Sequence, residues 1–197
     1  MGKPNVGKTL LIINFAAYLG IKEVRLDLRD GGEITGRGQR ITLERARREL
    51  VSMSAPKTTM LQTLTLDPQI GRHRYTLSVI DTAGIPDEIA ESPQTRRQIA
   101  LTLDGTRYAD VVLHVMDASA VHVHRQESPG TFDSALVDFG RLRQGYAVVM
   151  NKLDKPGGED GYRAVKERFR GVPVLAVSAL TRRGFRDLKT WVIRALP

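Results

Sequence analysis

The chain has 197 residues, of which 41% are hydrophobic and 26% charged, a composition typical of one folded domain rather than a disordered or fibrous chain. It contains no cysteine, which excludes disulfide scaffolds, zinc–thiolate sites and thiol catalysis. The net charge of +8 suits a partner that carries phosphates. No apolar run approaches the roughly 18 residues of a membrane span and no secretory signal is recognisable, so we expect a cytoplasmic protein without a membrane partner.

Apolar runs rich in branched residues alternate with helical patterns along the chain. We predict buried strands over residues 75–80, 111–116, 146–150 and 172–177. We predict helices over residues 10–19, 132–142 and 185–195, where apolar side chains recur on one face. This alternation predicts an α/β fold, a three-layer sandwich around a mostly parallel sheet, whose ligands bind outside the carboxyl ends of the strands.

Residues 21–57 interrupt this alternation. Apolar and charged residues alternate over 24–29 before the turn sequence Asp30-Gly31-Gly32, which predicts a half-buried strand and favours a hairpin. Thr42 is a suitable N-cap for a short helix with a basic outer face. The whole segment carries nine basic and six acidic residues, so it is either a surface that contacts a partner or a solvated decoration.

The chain begins with the pattern of a phosphate-binding loop, carried by Gly2, Lys3, Pro4, Asn5, Val6, Gly7, Lys8 and Thr9. Backbone N–H groups of such a loop surround a phosphate, and the next helix directs its positive N-terminal end at the anion. Lys8 would reach the β- and γ-phosphates, and the Thr9 hydroxyl would coordinate magnesium. Such a loop normally follows a buried strand, and since only Met1 precedes Gly2, we expect the first strand of the fold to be missing from the chain.

A second polar motif, Asp81 to Gly84, follows the strand predicted over 75–80. The carboxylate of Asp81 can hold magnesium through a water, and the backbone N–H of Gly84 can sense a γ-phosphate. The pattern is weak by itself, and its significance comes from its position at the end of a strand.

Two more motifs follow the last two predicted strands. Asn151, Lys152 and Asp154 predict a guanine pocket, in which Asp154 accepts hydrogen bonds from N1–H and the exocyclic amine, a donor pair that adenine lacks. Lys152 would lie along the base, and Asn151 would tie this loop to the phosphate loop. A backbone N–H at Ser178 or Ala179 would meet guanine O6.

With these four motifs in this order, the chain resembles the GTP-binding domains of the translation-factor-related class, nearest to the Era-like branch that includes ribosome-assembly and tRNA-modification GTPases. The resemblance covers nearly the whole chain and implies a single domain over residues 1–197. It implies a molecular switch that binds GTP or GDP with Mg²⁺, hydrolyses GTP to GDP and phosphate, and often acts on ribosomes or RNA. The oligomeric state stays open.

The same resemblance calls for the sequence Gly-Thr-Thr-Arg-Asp after the first helix, and the nearest match lies at residues 56–60. It implies Thr59, or else Thr58, as a magnesium ligand that orders this loop around the γ-phosphate. The glycine, arginine and aspartate of the pattern are absent. Because 50 positions separate Thr9 from Thr59, we predict that residues 21–57 are an insertion into the first switch region.

Ile85 stands where many GTPases place a glutamine that orients water. The Era-like branch has the same hydrophobic substitution, and some of its members use a potassium ion held in part by the phosphate-loop asparagine, here Asn5. The resemblance therefore implies hydrolysis that is slow without potassium or a partner, with Lys8, Thr59 and Gly84 as the catalytic residues.

Two other functions compete with this one. Lys3 stands where partitioning ATPases with a deviant phosphate loop keep a signature lysine, although such ATPases do not explain the motif from Asn151 to Asp154. The second is a nucleotide-binding module without turnover.

The histidines and the basic C-terminal segment are weaker signals. We interpret His122 and His124 as ordinary loop residues rather than metal ligands, because no third ligand is evident, and His73 and His114 in the same way. Residues 155–197 carry ten basic and four acidic residues, which form either an RNA-facing patch or a solvated face.

Overall fold

A computed structural model describes residues 1–30, 33–34, 38–51, 61–82, 84–85, 93–121 and 129–197. The helices are α1 (Lys8–Tyr18), α2 (Leu43–Val51), α3 (Pro93–Arg107), α4 (Thr131–Gly140), α5 (Gly158–Arg168) and α6 (Phe185–Ala195). The strands are β1 (Glu23–Asp30), β2 (Glu33–Ile34), β3 (Gln39–Thr42), β4 (Leu61–Leu66), β5 (Gln69–Ile70), β6 (His73–Arg74), β7 (Leu77–Asp81), β8 (Val112–Asp117), β9 (Tyr146–Asn151) and β10 (Val174–Ala176). Within these ranges, no helix is both long and apolar enough to span a membrane.

The fold is α/β, as predicted, but its main strands form two sheets. The larger sheet has the order β2-β1-β4-β7, with β3 also paired to β1, and all of its pairs are antiparallel. The smaller sheet has the order β10-β9-β8 and is parallel. The parallel part is therefore smaller than the predicted mostly parallel sheet, because β1, β2 and β3 from residues 21–57 pair antiparallel, as do β4 and β7.

Most of the predicted elements lie within two residues of their observed bounds. The four predicted strands correspond to β7, β8, β9 and β10, and the three long predicted helices correspond to α1, α4 and α6. The favoured hairpin is the β1–β2 pair, and the side chain of Thr42 accepts the N–H of Arg45 at 3.2 Å at the start of α2. The pattern did not predict α3, β4 or α5, the last of which begins at Gly158 after the N-cap residue Gly157.

Strand β9 is buried along its whole length and separates two layers of helices. Val148 packs in one cluster with Val165 of α5. Its neighbour Val149 faces the other way and packs with Leu11 of α1 and Leu188 of α6. Side chains of successive strand residues point to opposite faces, so this strand forms the centre of the three-layer arrangement.

A cavity of about 470 Å³ lies between β7 of the larger sheet and β8 of the smaller one, with Ile80 and Leu113 among its walls. Met1 lies at its edge and pairs with β8 as one residue of a parallel strand. Its amino group donates to the carbonyl oxygen of Leu113 at 2.9 Å, and the N–H of Val115 donates to its carbonyl oxygen at 2.8 Å. The residues that follow Met1 therefore start from the edge of the parallel sheet.

Candidate functional site

The glycine-rich loop leaves the edge of β8 and ends at α1. Gly2 has a φ of 142°, and a Cβ atom there would lie 2.1 Å from the carbonyl oxygen of Val115, so the loop can pass β8 this closely only with glycine at that position. Gly7 caps α1 and its carbonyl accepts the N–H of Leu11 at 2.9 Å. The free N–H groups of the first turn of α1 therefore face the loop, as an anion site requires.

Lys8 closes the loop from the helix side. Its ammonium donates to the carbonyl oxygens of Gly2 at 3.0 Å and Lys3 at 2.7 Å. Burial lowers the pKa of Lys8 to about 8, although the carboxylate of Asp81 opposes the shift. The ammonium thus lies over the loop in a place where a phosphate would stabilise its charge.

Thr9 and Asp81 meet at the end of β7. The Thr9 hydroxyl donates to Oδ2 of Asp81 at 2.6 Å. Oδ1 of Asp81 is buried and has no hydrogen-bond partner among the described residues. Burial raises the pKa of Asp81, while Thr9 and Lys8 oppose this shift. A hydroxyl beside a carboxylate with an unpaired buried oxygen is a donor set that fits Mg²⁺.

The motif after β7 lies against the loop. The N–H of Ile85 donates to the carbonyl oxygen of Gly2 at 3.2 Å. A Cβ atom on Gly84 would lie 2.5 Å from Cα of Pro4, so the two segments are in van der Waals contact. The side chain of Ile85 is buried. Ala83, the third residue of this motif, lies outside the described part of the chain.

Asn151 joins three loops through a side chain that is only 1% exposed. Its Nδ2 donates to the carbonyl oxygen of Val6 at 2.8 Å, and its Oδ1 accepts the N–H of Ala179 at 2.8 Å. Asn14 of α1 adds a second link, because its Nδ2 donates to the carbonyl oxygen of Ala179 at 2.6 Å. The predicted tie between Asn151 and the phosphate loop is therefore present, together with a tie to the loop after β10 that was not predicted.

Lys152 lies across the same junction, with a φ of 65°. Its ammonium donates to the carbonyl oxygen of Asn5 and to Oδ2 of Asp117, both at 2.6 Å. Burial opposes ionisation of Asp117, but hydrogen bonds from Lys152 and Ser119 outweigh it and hold the pKa of Asp117 below its usual range. Asp117 was not among the predicted site residues, although an acidic residue directly after a predicted buried strand was a usable signal.

Asp154 and Ser178 form a pair at the open side of the site. The Ser178 hydroxyl donates to Oδ1 of Asp154 and accepts the N–H of Thr181 at 3.0 Å. Ser178 is fully buried, whereas Asp154 is exposed. The hydroxyl of Ser178 therefore fixes the carboxylate of Asp154, which is still exposed and accessible to a ligand.

Other predicted residues are placed differently or lie outside the described part of the chain. Thr58, Thr59, His122 and His124 are among the residues that the structure does not describe. His73 is exposed in β6. His114 lies in β8, within the strand predicted over residues 111–116, and is fully buried between Tyr146 and Asp133.

This arrangement defines a P-loop nucleotide-binding fold. Comparison with known protein families identifies the family to which the chain belongs. The model of the family described as 50S ribosome-binding GTPase matches residues 46–152, more than half of the chain. The chain therefore belongs to the 50S ribosome-binding GTPase family, which confirms the resemblance to ribosome-binding GTPases. The matched range contains β7 and β9 but ends before Asp154, and the glycine-rich loop precedes it.

Two curated relatives illustrate the similarity. The GTPase Obg of Ruminiclostridium cellulolyticum is 28% identical over 148 residues, which is 71% of this chain and 34% of the relative. A probable mitochondrial GTP-binding protein of rice, OBGM, is 25% identical over 147 residues, which is 71% of this chain and 28% of the relative. The chain thus spans about a third of the length of the curated relatives it matches.

Solved structures with similar folds include two domains of the iron transporter FeoB. The G domain from T. maritima matches with a TM-score of 0.57 and 18% identity, covering 99% of this chain and 94% of that one. The cytosolic domain from L. pneumophila matches with a TM-score of 0.59 and 16% identity, covering 100% of this chain and 68% of that one. At these identities the similarity supports the fold alone.

We expect Asn151→Ala to destabilise the protein by about 2–4 kcal/mol, because it leaves the main-chain groups of Val6 and Ala179 without their partner. Urea denaturation followed by circular dichroism would measure this loss. Asn14→Ala is the matched control, since it removes one hydrogen bond of a buried amide rather than two and should cost about half as much. Equal losses for the two variants would contradict the bridging role of Asn151.

Proposed function

We propose that this protein binds GTP and hydrolyses it to GDP and phosphate as a molecular switch. The observation that carries the proposal is the direct joining of the glycine-rich loop to the motif after β9. Asn151 reaches Val6 at 2.8 Å and Lys152 reaches Asn5 at 2.6 Å. One nucleotide would then touch both segments, with its phosphates in the loop and its base at Asp154.

The loop would hold the phosphates through the backbone N–H groups of the segment from Gly2 to Thr9, except at Pro4, and through the N-terminal end of α1. Lys8 would turn its ammonium from the loop carbonyls to the β- and γ-phosphates. Because its pKa lies near 8 in the free protein, a bound phosphate would also favour the charged form. The N–H of Gly84 would face the γ-phosphate.

The guanine base would be recognised by Asp154, whose exposed carboxylate would accept hydrogen bonds from N1–H and the exocyclic amine. Ser178 would orient that carboxylate, and the N–H of Ala179 or of a neighbouring residue would approach O6. Lys152, held by Asp117 and Asn5, would lie along the base. Adenine would leave the carboxylate of Asp154 without its donors.

Thr9 and Asp81 would hold Mg²⁺, with Thr59 or Thr58 as the ligand from the switch region. When bound, Mg²⁺ neutralises charge on the β- and γ-phosphate oxygens during hydrolysis. In the reaction, water attacks the γ-phosphorus while the bond to the β–γ bridging oxygen breaks. Ile85 carries no polar group and is buried, so it does not orient that water. We therefore propose slow intrinsic turnover.

Residues 21–57 would act as an insertion into the first switch region of a single domain over 1–197. This assignment is supported by the strand order, in which β2 and β3 pair with β1 on its side away from β4 and β7. A partner that contacts this edge would then sense the state of the switch.

Family membership favours GTPase activity over the partitioning-ATPase alternative. Moreover, the ammonium of Lys3, the residue that suggested that alternative, pairs with Asp133 of the same chain at 2.8 Å. A nucleotide-binding module without turnover is the remaining alternative, and a measured rate of phosphate release separates it from a switch.

We expect a fluorescent GDP analogue, bound in Mg²⁺ and K⁺, to be displaced by GTP with an affinity on the order of 10⁴-fold higher than that of ATP. Asp154→Ala should weaken GDP binding by roughly 10- to 100-fold, because a hydrogen-bonded charged acceptor is lost. Asp160→Ala is the matched control, since Asp160 is an exposed aspartate of α5 whose carboxylate lies 3.8 Å from Arg163. Displacement by ATP and GTP alike would contradict a guanine pocket at Asp154.

We propose that potassium accelerates hydrolysis with Asn5 as one of its ligands, as supported by the exposed position of Asn5 in the loop and the apolar side chain of Ile85. Phosphate release should be at least about 10-fold faster in K⁺ than in Na⁺, and Asn5→Ala should abolish the difference. The measurement is single-turnover hydrolysis of radiolabelled GTP in each salt. Equal rates in both salts for the wild type, or an unchanged K⁺ effect in Asn5→Ala, would contradict the role of Asn5.

We also propose that the GTP-bound protein associates with ribosomes or RNA in the cytoplasm through the basic segment 155–197. Two exposed arginines lie near the start of α6: Arg182 precedes the helix, and Arg186 is its second residue. Three other arginines are partly neutralised, because Arg163 pairs with Asp160, Arg170 with Glu167 and Arg183 with Glu159. Arg182 and Arg186 are outside these three pairs, as are the exposed side chains of Lys155, Lys166 and Arg168.

Co-sedimentation with ribosomes should be stronger with a non-hydrolysable GTP analogue than with GDP and should weaken as salt concentration rises. Replacing Arg182 and Arg186 together with alanine should reduce the bound fraction several-fold. Arg163→Ala should have little effect, since its guanidinium already pairs with Asp160. Binding that is unaffected by nucleotide and salt would contradict this proposal.

A further inference from the structure

A row of four side chains links the core to the second residue of the glycine-rich loop. Oη of Tyr146, in β9, lies 2.8 Å from Nδ1 of His114, in β8. Nε2 of His114 lies 3.0 Å from Oδ1 of Asp133, in the first turn of α4. Oδ2 of Asp133 lies 2.8 Å from the ammonium of Lys3. Each side chain in this row therefore contacts the next.

Three members of this row are enclosed by protein. His114 is fully buried, and Asp133 and Tyr146 are 2% and 3% exposed. Burial lowers the pKa of His114, so the imidazole is neutral, accepts from the Tyr146 hydroxyl at Nδ1 and donates from Nε2 to Asp133. Burial opposes ionisation of Asp133 too, but hydrogen bonds from His114 and Lys3 outweigh it and hold the pKa of Asp133 below its usual range.

An ionised carboxylate this deeply buried requires a cation, and Lys3 supplies one. The side chain of Lys3 is 25% exposed, so the pair lies where the core meets the surface of the loop. Oδ2 of Asp133 also accepts the N–H of Gly130 at 3.3 Å, which fixes the carboxylate to the start of α4. The ammonium of Lys3 is therefore held at the start of α4.

Lys3 is also held through its main chain. Its carbonyl oxygen accepts the ammonium of Lys8 at 2.7 Å. The side chain of Lys3 thus connects to α4 while its carbonyl directs Lys8, the residue assigned to the phosphates. A shift of Lys3 would move the ammonium of Lys8 and the backbone on either side of Lys3.

We propose that Asp133 is a positioning residue for the phosphate loop, which acts through its ion pair with Lys3 and couples α4 to nucleotide binding. This inference rests on the proposed function, because it requires a nucleotide phosphate in the loop. Two simpler roles of Asp133 predict different results. If Asp133 only stabilises α4, replacing it would lower the stability of the protein without changing its affinity for nucleotide. If it only offsets the positive charge of the loop, replacing it would make nucleotide binding tighter.

The test is a double-mutant cycle with Asp133→Asn, which keeps the shape of the side chain, and Lys3→Met, which removes the ammonium from a partly exposed residue. The dissociation constant of a fluorescent GDP analogue and the melting temperature are measured for the wild type, both single variants and the double variant. Asp138→Asn is the matched control, because Asp138 is an aspartate of the same helix with a 77% exposed side chain.

We expect each single variant to bind the GDP analogue about 10-fold more weakly than the wild type, and the double variant no more weakly than the weaker single one. Asp138→Asn should bind as the wild type does. Lower melting temperatures for Asp133→Asn in both backgrounds would report the separate contact with His114. If Asp133→Asn does not fold, Lys3→Met alone still tests the pair, and unchanged affinity would overturn the proposal.

The other outcomes are equally distinct. Effects on affinity that multiply in the double variant, or tighter binding by Asp133→Asn, would overturn the positioning role while leaving nucleotide binding intact. A wild-type protein that binds no guanine nucleotide would overturn the proposed function, and the positioning role with it.

Discussion

The carboxamide of Asn151 lies where three loops meet, and its two hydrogen bonds determine where the other site residues lie. A buried amide is stable when its donor and its acceptor are both paired, and here both partners are main-chain groups of other loops. The glycine-rich loop and the loop after β10 are therefore fixed relative to β9. Lys152 and Asp154 follow Asn151 closely, so they depend on the same anchor.

The register of the parallel sheet explains why one side chain can reach so far. Asp117 is the register partner of Asn151, and Ala176 that of Met150, so β8, β9 and β10 end at the same edge. Polar residues that are distant in sequence therefore lie next to one another at this edge of the sheet. The ion pair between Lys152 and Asp117 is a direct result of this alignment.

The sequence predicts those parts of the fold that depend on local patterns. Buried strands and amphipathic helices follow from the spacing of apolar residues, and the loop motifs follow from short spacings with a clear chemical reason. The division into two sheets was not predictable, because it depends on how β1 and β4 pair across the chain. Helix α3 was not predicted because its 15 residues have a weak apolar pattern. Helix α5 was not predicted because one glycine precedes the helix and another is its first residue.

In the candidate site, too, contacts between residues that are distant in sequence are harder to predict than local motifs. The tie from Asn151 to the loop was predicted, whereas the partner of Lys3 was not, since Asp133 is 130 positions away and has no motif around it. His114 did offer a signal, because a histidine in an apolar strand needs a buried polar partner. The sequence does not identify that partner as Asp133, because only the packing of α4 on β8 brings the two together.

The glycine-rich loop and its two flanking residues, Met1 and Thr9, are hydrogen-bonded to both sheets or to the residues that follow them. Met1, Val6 and Asn5 bond to the parallel sheet or the residues after it, whereas Gly2 and Thr9 bond to β7 and the residues after it. The loop therefore connects β7, at one edge of the larger sheet, to the parallel sheet. A ligand that changed the conformation of this loop would therefore change its contacts with both sheets.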